Sequence, residues 1–219
     1  MSLPTVPSVS VRYARTGAST KANELGMRPM QERAYEKRGE PYLLIKSPPA
    51  SGKSRALMFI ALDKLQNQGL KQAIIVVPER SIGASFHDEP LSQYGFWADW
   101  KVAPKWNLCD APGSDNGGKV NALGAFLASD DKVLVCTHAT FRFAVEKFGV
   151  EAFDDRLIAV DEFHHVSANP DNKLGAHLAQ FIARDRVHIV AMTGSYFRGD
   201  TEAVLSPTDE AKFDVVIYT

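Results

Sequence analysis

The chain has 219 residues, of which 45% are hydrophobic and 23% are charged. This composition excludes disordered and fibrous proteins and fits one globular domain or two small ones. Lys and Arg number 25 against 26 Asp and Glu, so the net charge of -1 neither indicates nor excludes a nucleic-acid partner.

Residues 1–25 are rich in small and polar side chains without a sustained period, which predicts an N-terminal extension ahead of a domain at 26–219. The extension lacks the apolar stretch of a signal peptide. The longest apolar run, 56–62, is far shorter than the about 18 residues of a membrane span. Cys109 and Cys136 form no C-x-x-C pair, so a reducing compartment fits best. We expect a cytoplasmic protein without a membrane partner.

Short apolar runs alternate with helical patterns along most of the chain. The runs lie at 42–45, 73–77, 133–136, 157–160, 188–192 and 215–218. Such alternation is typical of βαβ units, so we predict an α/β fold with a mostly parallel sheet, helices on both faces and ligands at the carboxyl ends of the strands. Because the last run stops beside Thr219, we expect the chain to end inside a larger protein.

One segment, 86–118, does not follow this alternation. It holds all three tryptophans, Trp97, Trp100 and Trp106, and few helix signals, and we predict a hairpin-like insert. Its tryptophans could stack exposed bases, but buried packing is the favoured role.

The loop at 47–54 follows the first strand and opens onto a helical pattern. Its sequence, S-P-P-A-S-G-K-S, matches the phosphate-binding pattern G-x-x-x-x-G-K-[ST] except at its first position. Small residues let backbone N–H groups point inward, and the following helix adds its positive end, so the loop suits a polyphosphate. Lys53 would reach the β- and γ-phosphates, and the Ser54 hydroxyl would bind Mg²⁺. The alternative is a small-residue loop with a surface lysine.

An acidic pair, Asp161 and Glu162, directly follows the apolar run at 157–160. A parallel sheet delivers both carboxylates to the same edge as the phosphate loop. Asp161 could hold hydrated Mg²⁺, and Glu162 could polarise the water that attacks the γ-phosphate. Alone, the pair would be better explained as solvated carboxylates at a helix N-terminus, and it is the phosphate loop that favours the catalytic interpretation.

Together these motifs resemble a known family. With the phosphate loop, the D-E-F-H sequence at 161–164 is similar to the first RecA-like domain, a P-loop NTPase fold, of superfamily 2 DEAD/DEAH-box helicases and translocases. The resemblance covers about residues 26–197. It implies ATP and Mg²⁺ as cofactors, with Asp161, Glu162, Lys53 and His164 as catalytic residues. The implied nucleotide-binding residues are Gln31, Pro49, Ala50, Ser51, Gly52, Lys53 and Ser54. Ser47 and Ala50 stand where the family usually has glycine.

Four further stretches occur in the family's order. R-P-M-Q at 28–31 resembles the element whose glutamine reads the adenine edge, which implies that role for Gln31. The stretches at 77–81 and 136–140 resemble motifs that contact the nucleic-acid backbone, and M-T-G-S at 192–195 resembles the motif that couples nucleotide to domain movement. The implied nucleic-acid-binding residues are Arg80, Ser81, Thr137 and His138, and the implied coupling residues are Thr193, Gly194 and Ser195. His164 would link toward Thr193 and Gly194.

Each of these side chains also has an ordinary alternative. Gln31 could be a solvated helix residue, Arg80 a surface cation, and Thr137 or Thr193 the N-cap of a helix that follows a strand. A metal cluster of His164 and His165 with Asp161 and His138 is disfavoured, because the ligands lack tight spacing on one helix face.

The resemblance implies a partner domain as well. The family binds ATP between two RecA-like domains, and this sequence contains one of them. We therefore expect a nucleic-acid partner, with DNA favoured over RNA, and slow hydrolysis by the isolated chain, because an arginine finger is worth about 10³ to 10⁵ in turnover. Two alternatives are the motor subunit of a restriction-type system and a nucleotide-dependent binding module without turnover.

Overall fold

The computed structural model describes residues 22–110, 116–163, 173–194 and 204–218. Its six strands are β1 (Tyr42–Lys46), β2 (Ala73–Val77), β3 (Val133–Thr137), β4 (Leu157–Val160), β5 (His188–Thr193) and β6 (Asp214–Ile217). Its α-helices are α1 (Pro29–Glu36), α2 (Lys53–Asn67), α3 (Asn116–Leu127), α4 (His138–Phe148), α5 (Lys173–Arg184) and α6 (Pro207–Glu210). Each strand lies within two residues of its predicted position.

The six strands form one sheet in the order β3-β2-β4-β5-β1-β6. Each neighbouring pair runs parallel, and the register joins Lys46 to Thr193 and Val160 to Ala191. The predicted α/β fold is therefore confirmed. Since β5 lies between β1 and β4, the segments that follow β1 and β4 flank the end of β5.

Side chains that alternate along the strands divide the core into two layers. Leu43 and Ile45 pack with α1 and α2 on one face, whereas Tyr42 and Leu44 pack with α3, α4 and α5 on the other. Strands covered on both faces are apolar throughout, and β2 and β4 are buried at every position. This burial explains why continuous apolar runs, rather than alternating ones, mark the strands in the sequence.

The segment after β2 differs from its prediction. Short 3₁₀ helices at Arg80–Phe86, Leu91–Tyr94 and Pro104–Trp106 replace a hairpin ladder. Within 86–110, strand-like pairing between two parts of the segment is limited to one antiparallel bridge, from Glu89 to Trp100. The hairpin prediction is therefore wrong for 86–110, where prolines interrupt the backbone donors that a ladder needs.

The tryptophans of this segment pack as predicted in two of three cases. Trp100 is fully buried and donates its ring N–H to the carbonyl of Phe86 at 3.1 Å. Trp106 is 8% exposed and donates to a carboxylate oxygen of Asp131 at 2.6 Å, whereas Trp97 is 46% exposed. Among the described residues, no helix is long and apolar enough to cross a membrane.

Candidate nucleotide-binding site

The loop between β1 and α2 bends back on itself through two residues with positive φ. Ala50 has φ +60° and Gly52 has φ +90°. The Ser51 N–H donates to the carbonyl of Pro48 at 3.3 Å, and the Ser47 N–H donates to the carbonyl of Thr193 at 3.1 Å. The loop is thus fastened to the end of β5. Pro49 and Ala50 are exposed at its outer turn.

Lys53 points into the concave side of this loop. It is the first residue of α2, is 8% exposed, and donates through Nζ to the carbonyl oxygens of Ser47 at 3.1 Å and Pro48 at 3.0 Å. An ammonium held within the curve of a small-residue loop is placed to neutralise a bound phosphate. Ser54 follows in the first turn of α2 and is partly buried.

Gln31 joins α1 to the phosphate loop. Its side chain is 2% exposed, accepts from the Arg28 N–H at 2.8 Å, and donates from Nε2 to the carbonyl of Gly52 at 3.1 Å. A Cβ atom added at Gly52 would lie 2.6 Å from Nε2, so the close approach needs glycine. The alternative of a solvated Gln31 is excluded, while adenine recognition stays a prediction.

Asp161 directly follows β4 and is 5% exposed. Burial, followed by the negative charge of Glu162, raises the pKa of its carboxyl to about 6, against the opposing effects of the Glu162 N–H and the Lys53 charge. The Glu162 N–H donates to Oδ1 of Asp161 at 2.9 Å. Glu162 itself is partly exposed and has φ +48°, a left-handed conformation unusual for a glutamate.

The end of β5 lies between the loop and the acidic pair. Thr193 is 6% exposed, and a Cβ atom added at Gly194 would lie 3.3 Å from Nζ of Lys53. The sheet therefore brings the predicted coupling residues Thr193 and Gly194 against the phosphate loop. Two predicted residues, His164 and Ser195, lie outside the described residues.

The predicted nucleic-acid residues occupy the ends of β2 and β3. Arg80 and Ser81 are exposed, and Nε of Arg80 donates to the carbonyl of Cys109 at 2.8 Å. Thr137 is the N-cap of α4, accepting from the Thr140 N–H at 3.3 Å, which confirms its capping alternative. His138 lies farther inward than expected, because its Nε2 is 3.0 Å from the carbonyl oxygen of Asp161.

The chemistry of two side chains suits a magnesium ion. Ser54 and Asp161 offer hydroxyl and carboxylate oxygens, the hard donors that Mg²⁺ prefers. The Lys53 charge acts on the Asp161 carboxylate, which places the loop and the acidic pair in one electrostatic environment. The donor set therefore fits the ion that the sequence predicts.

Comparison with known proteins agrees with this geometry. The family model for the DEAD/DEAH box helicase matches residues 28–203. A curated relative, the putative ATP-dependent helicase YeeB of Bacillus subtilis, is 57% identical over 211 residues, which is 96% of this chain. The chain spans 35% of the length of that relative.

Solved helicase structures share the fold at low sequence identity. The helicase domain of Pyrococcus furiosus Hef matches with a TM-score of 0.54 and 18% identity, covering 85% of this chain and 37% of that one. The UvsW helicase of bacteriophage T4 matches with a TM-score of 0.55 and 15% identity, covering 88% and 61%. The helicase MrfA, solved bound to DNA, matches with a TM-score of 0.57 and 12% identity, covering 88% and 27%. The family model, which matches most of the chain, shows that the chain belongs to the DEAD/DEAH box helicase family and is a superfamily 2 helicase-type ATP-binding domain, in agreement with the predicted motifs and the observed parallel sheet.

Proposed function

We propose that this domain couples hydrolysis of Mg-ATP to movement of its parent protein along nucleic acid, with DNA favoured over RNA. The observation that carries the proposal is the placement of Lys53 and the Asp161–Glu162 pair on the two sides of the end of β5. A triphosphate on the loop would extend its γ-phosphate toward the acidic pair.

Each side chain of the site has a role in this proposal. Lys53 neutralises the β- and γ-phosphates, for which it would exchange its present carbonyl partners Ser47 and Pro48. Ser54 and Asp161 would hold Mg²⁺, which when bound neutralises charge on the phosphates. Glu162 is the more exposed of the two carboxylates and orients the attacking water.

Movement requires more than this domain. A second RecA-like domain on the opposite side of the triphosphate would supply the arginine finger. The chain spans 35% of its curated relative, which leaves room for such a domain in a protein of that length. We therefore propose that the isolated chain binds ATP but hydrolyses it slowly.

The proposed preference for DNA over RNA rests on a solved structure of low sequence identity to this chain. The helicase MrfA, whose fold resembles this one, was solved bound to DNA. The predicted contacts are Arg80, Ser81, Thr137 and His138, which lie near the ends of β2 and β3, at the same sheet edge as the phosphate loop. Backbone contacts of this kind position a strand without reading its sequence.

The test is ATP hydrolysis by the full-length protein, measured alone and with saturating single-stranded DNA, duplex DNA or RNA. We expect DNA to stimulate turnover more than RNA, and Glu162→Gln to keep ATP binding while losing hydrolysis. An absence of turnover with every polynucleotide would contradict the proposal and favour a nucleotide-dependent binding module. Translocation is then measured by displacement of a labelled third strand from a DNA triplex.

A further inference from the structure

A histidine of the predicted nucleic-acid motif contacts the backbone of the acidic pair. His138 is the first residue of α4, and its Nε2 lies 3.0 Å from the carbonyl oxygen of Asp161. A carbonyl oxygen only accepts hydrogen bonds, so Nε2 carries the proton and the ring is the donor. The contact crosses the end of β2, which lies between β3 and β4.

The carbonyl that His138 contacts belongs to the peptide that joins Asp161 to Glu162. Glu162 has φ +48°, a left-handed backbone conformation that residues other than glycine adopt at a free-energy cost. Such a conformation persists where the surroundings fix it. Here the Asp161 N–H donates to the carbonyl of Val76 at 2.8 Å, and the Glu162 N–H donates to Oδ1 of Asp161 at 2.9 Å. His138 supplies the hydrogen bond at the carbonyl side of the same turn.

Through His138, this turn is connected to the N-terminus of α4. Thr137 caps that helix and is, like His138, partly exposed at the carboxyl edge of the sheet. Any shift of the first turn of α4 would move the imidazole, which meets the turn that sets the direction of Glu162.

We propose that His138 is a positioning residue that couples the first turn of α4 to the direction of Glu162, through its hydrogen bond to the carbonyl of Asp161. This inference rests on the proposed function. It goes further by assigning to His138 a role toward the acidic pair, whereas the sequence predicts a contact with nucleic acid alone.

The experiment compares His138→Ala and His138→Gln in the full-length protein, with His87→Ala as a matched control. His87 is an exposed histidine whose side chain is 57% accessible, and its replacement should change nothing. At saturating DNA we expect His138→Ala to lower kcat on the order of tenfold, as for a displaced catalytic group, with the KM for ATP within about twofold. The glutamine amide can donate to the same carbonyl, so His138→Gln should recover most of the lost kcat.

Three results would overturn the coupling role. One is an unchanged kcat in His138→Ala at saturating DNA. Another is a higher Kd for DNA with normal kcat once DNA saturates, which would make His138 a nucleic-acid ligand only. The third is a folded His138→Gln, with wild-type urea unfolding, that stays as slow as His138→Ala. If the wild-type protein hydrolyses no ATP with any polynucleotide, the proposed function itself fails, and the coupling fails with it.

Discussion

A Cβ atom added at Gly194 would lie 3.3 Å from Nζ of Lys53 and 3.5 Å from the carbonyl oxygen of Ser47. The residue after β5 therefore packs directly on the cation of the phosphate loop. A contact of 3.3 Å is tighter than ordinary packing, so the Lys53 ammonium must move by a few tenths of an ångström if Gly194 gains a methyl group.

We predict that Gly194→Ala weakens ATP binding while leaving the fold intact. The ammonium can yield because it ends a flexible side chain, so the free energy of unfolding should change by less than about 1 kcal/mol. Its displacement should raise the Kd for ATP by about three- to tenfold, measured by calorimetric titration. Gly39→Ala is the matched control, since a Cβ there meets nothing within 4 Å. An unchanged Kd in Gly194→Ala would show that the contact does not hold Lys53 in place.

Lys53→Ala should remove nearly all affinity for ATP. The variant loses the cation inside the loop, and charge-assisted contacts to phosphate are among the strongest polar interactions. We expect the Kd to rise by at least about a hundredfold. Lys71→Ala serves as the control, because Lys71 is exposed and pairs with Asp155 at 3.9 Å. Equal ATP affinity in the wild-type and Lys53→Ala chains would exclude the phosphate role.

The two positive-φ residues of the loop should respond in opposite ways to an exchange of alanine and glycine. Ala50 has φ +60°, so Ala50→Gly relieves about 1 kcal/mol of strain, partly offset by the greater freedom of glycine in the unfolded chain. Gly52→Ala adds strain at φ +90° and places a methyl group 2.6 Å from Nε2 of Gln31. We expect Ala50→Gly to be neutral or stabilising and Gly52→Ala to cost about 1–3 kcal/mol in urea unfolding. Equal stability of the two variants would contradict this loop geometry.

The sequence is informative wherever burial on both faces produces a continuous apolar run. Strands β1 to β5 were predictable on this ground, whereas β6 has an apolar run although Val215 and Ile217 are exposed. The phosphate loop was predictable from the small residues that serve its sharp bend. The segment 86–110 was not, because its short 3₁₀ helices have no period, and its packing depends on which surfaces the rest of the chain presents.

The contacts between motifs were also beyond sequence reasoning. His138 and Asp161 are 23 positions apart and directly follow β3 and β4. Their contact crosses the end of β2, which lies between those two strands in the sheet. Gln31 carries a family signature, and its bond with the Arg28 N–H is a local cap of α1, but its bond to the Gly52 carbonyl follows from the approach of α1 to the loop. Motif spacing identifies the members of the site but not how they are joined.

Arg156 should contribute strongly to stability because it is buried and donates four hydrogen bonds. It is 8% exposed, and its Nε donates to Oε1 of Gln72 at 2.7 Å. Its terminal nitrogens donate to the carbonyls of Ala152, Asp154 and Leu127. Removal leaves these buried acceptors unpaired, so Arg156→Ala should cost about 3–5 kcal/mol in urea unfolding.

Arg186→Ala is the matched control for that variant. Arg186 is 54% exposed and pairs with Asp155 at 3.3 Å, so its loss should cost less than about 1 kcal/mol. A comparable loss in the two variants would mean that the network around Gln72 is not what makes Arg156 important.

The last prediction concerns acid stability and a partly buried histidine at the start of β5. Nζ of Lys64 lies 2.8 Å from Nδ1 of His188, and Lys64 is fully buried. Burial, followed by the Lys64 charge, lowers the pKa of His188 to about 4. In the unfolded chain this pKa returns to about 6.5. Between these values the unfolded state binds more protons, so the stability that His188 contributes is present above pH about 6.5 and is lost as the pH falls toward about 4.

Two neighbouring effects have to be separated from this one. Burial lowers the pKa of Lys64 to about 8, so Lys64 changes stability only at higher pH, where stability rises with pH. The titration of Asp161 changes stability in the opposite direction. Its raised pKa of about 6 makes the folded state bind the extra proton as the pH falls, so its contribution to stability rises with acidity. A variant that removes only the titration of His188 therefore isolates the effect.

His188→Asn is that variant, since its side-chain oxygen can accept from Lys64 without titrating. Between about pH 7 and about pH 5, we expect wild-type stability in urea to fall by about 1–2 kcal/mol more than that of His188→Asn, a figure reduced for partial exposure of the ring. His87→Asn, at an exposed histidine, should keep the full wild-type loss. If His188→Asn loses as much stability as the wild-type chain over this range, the ring of His188 is not held neutral by Lys64 in the folded state.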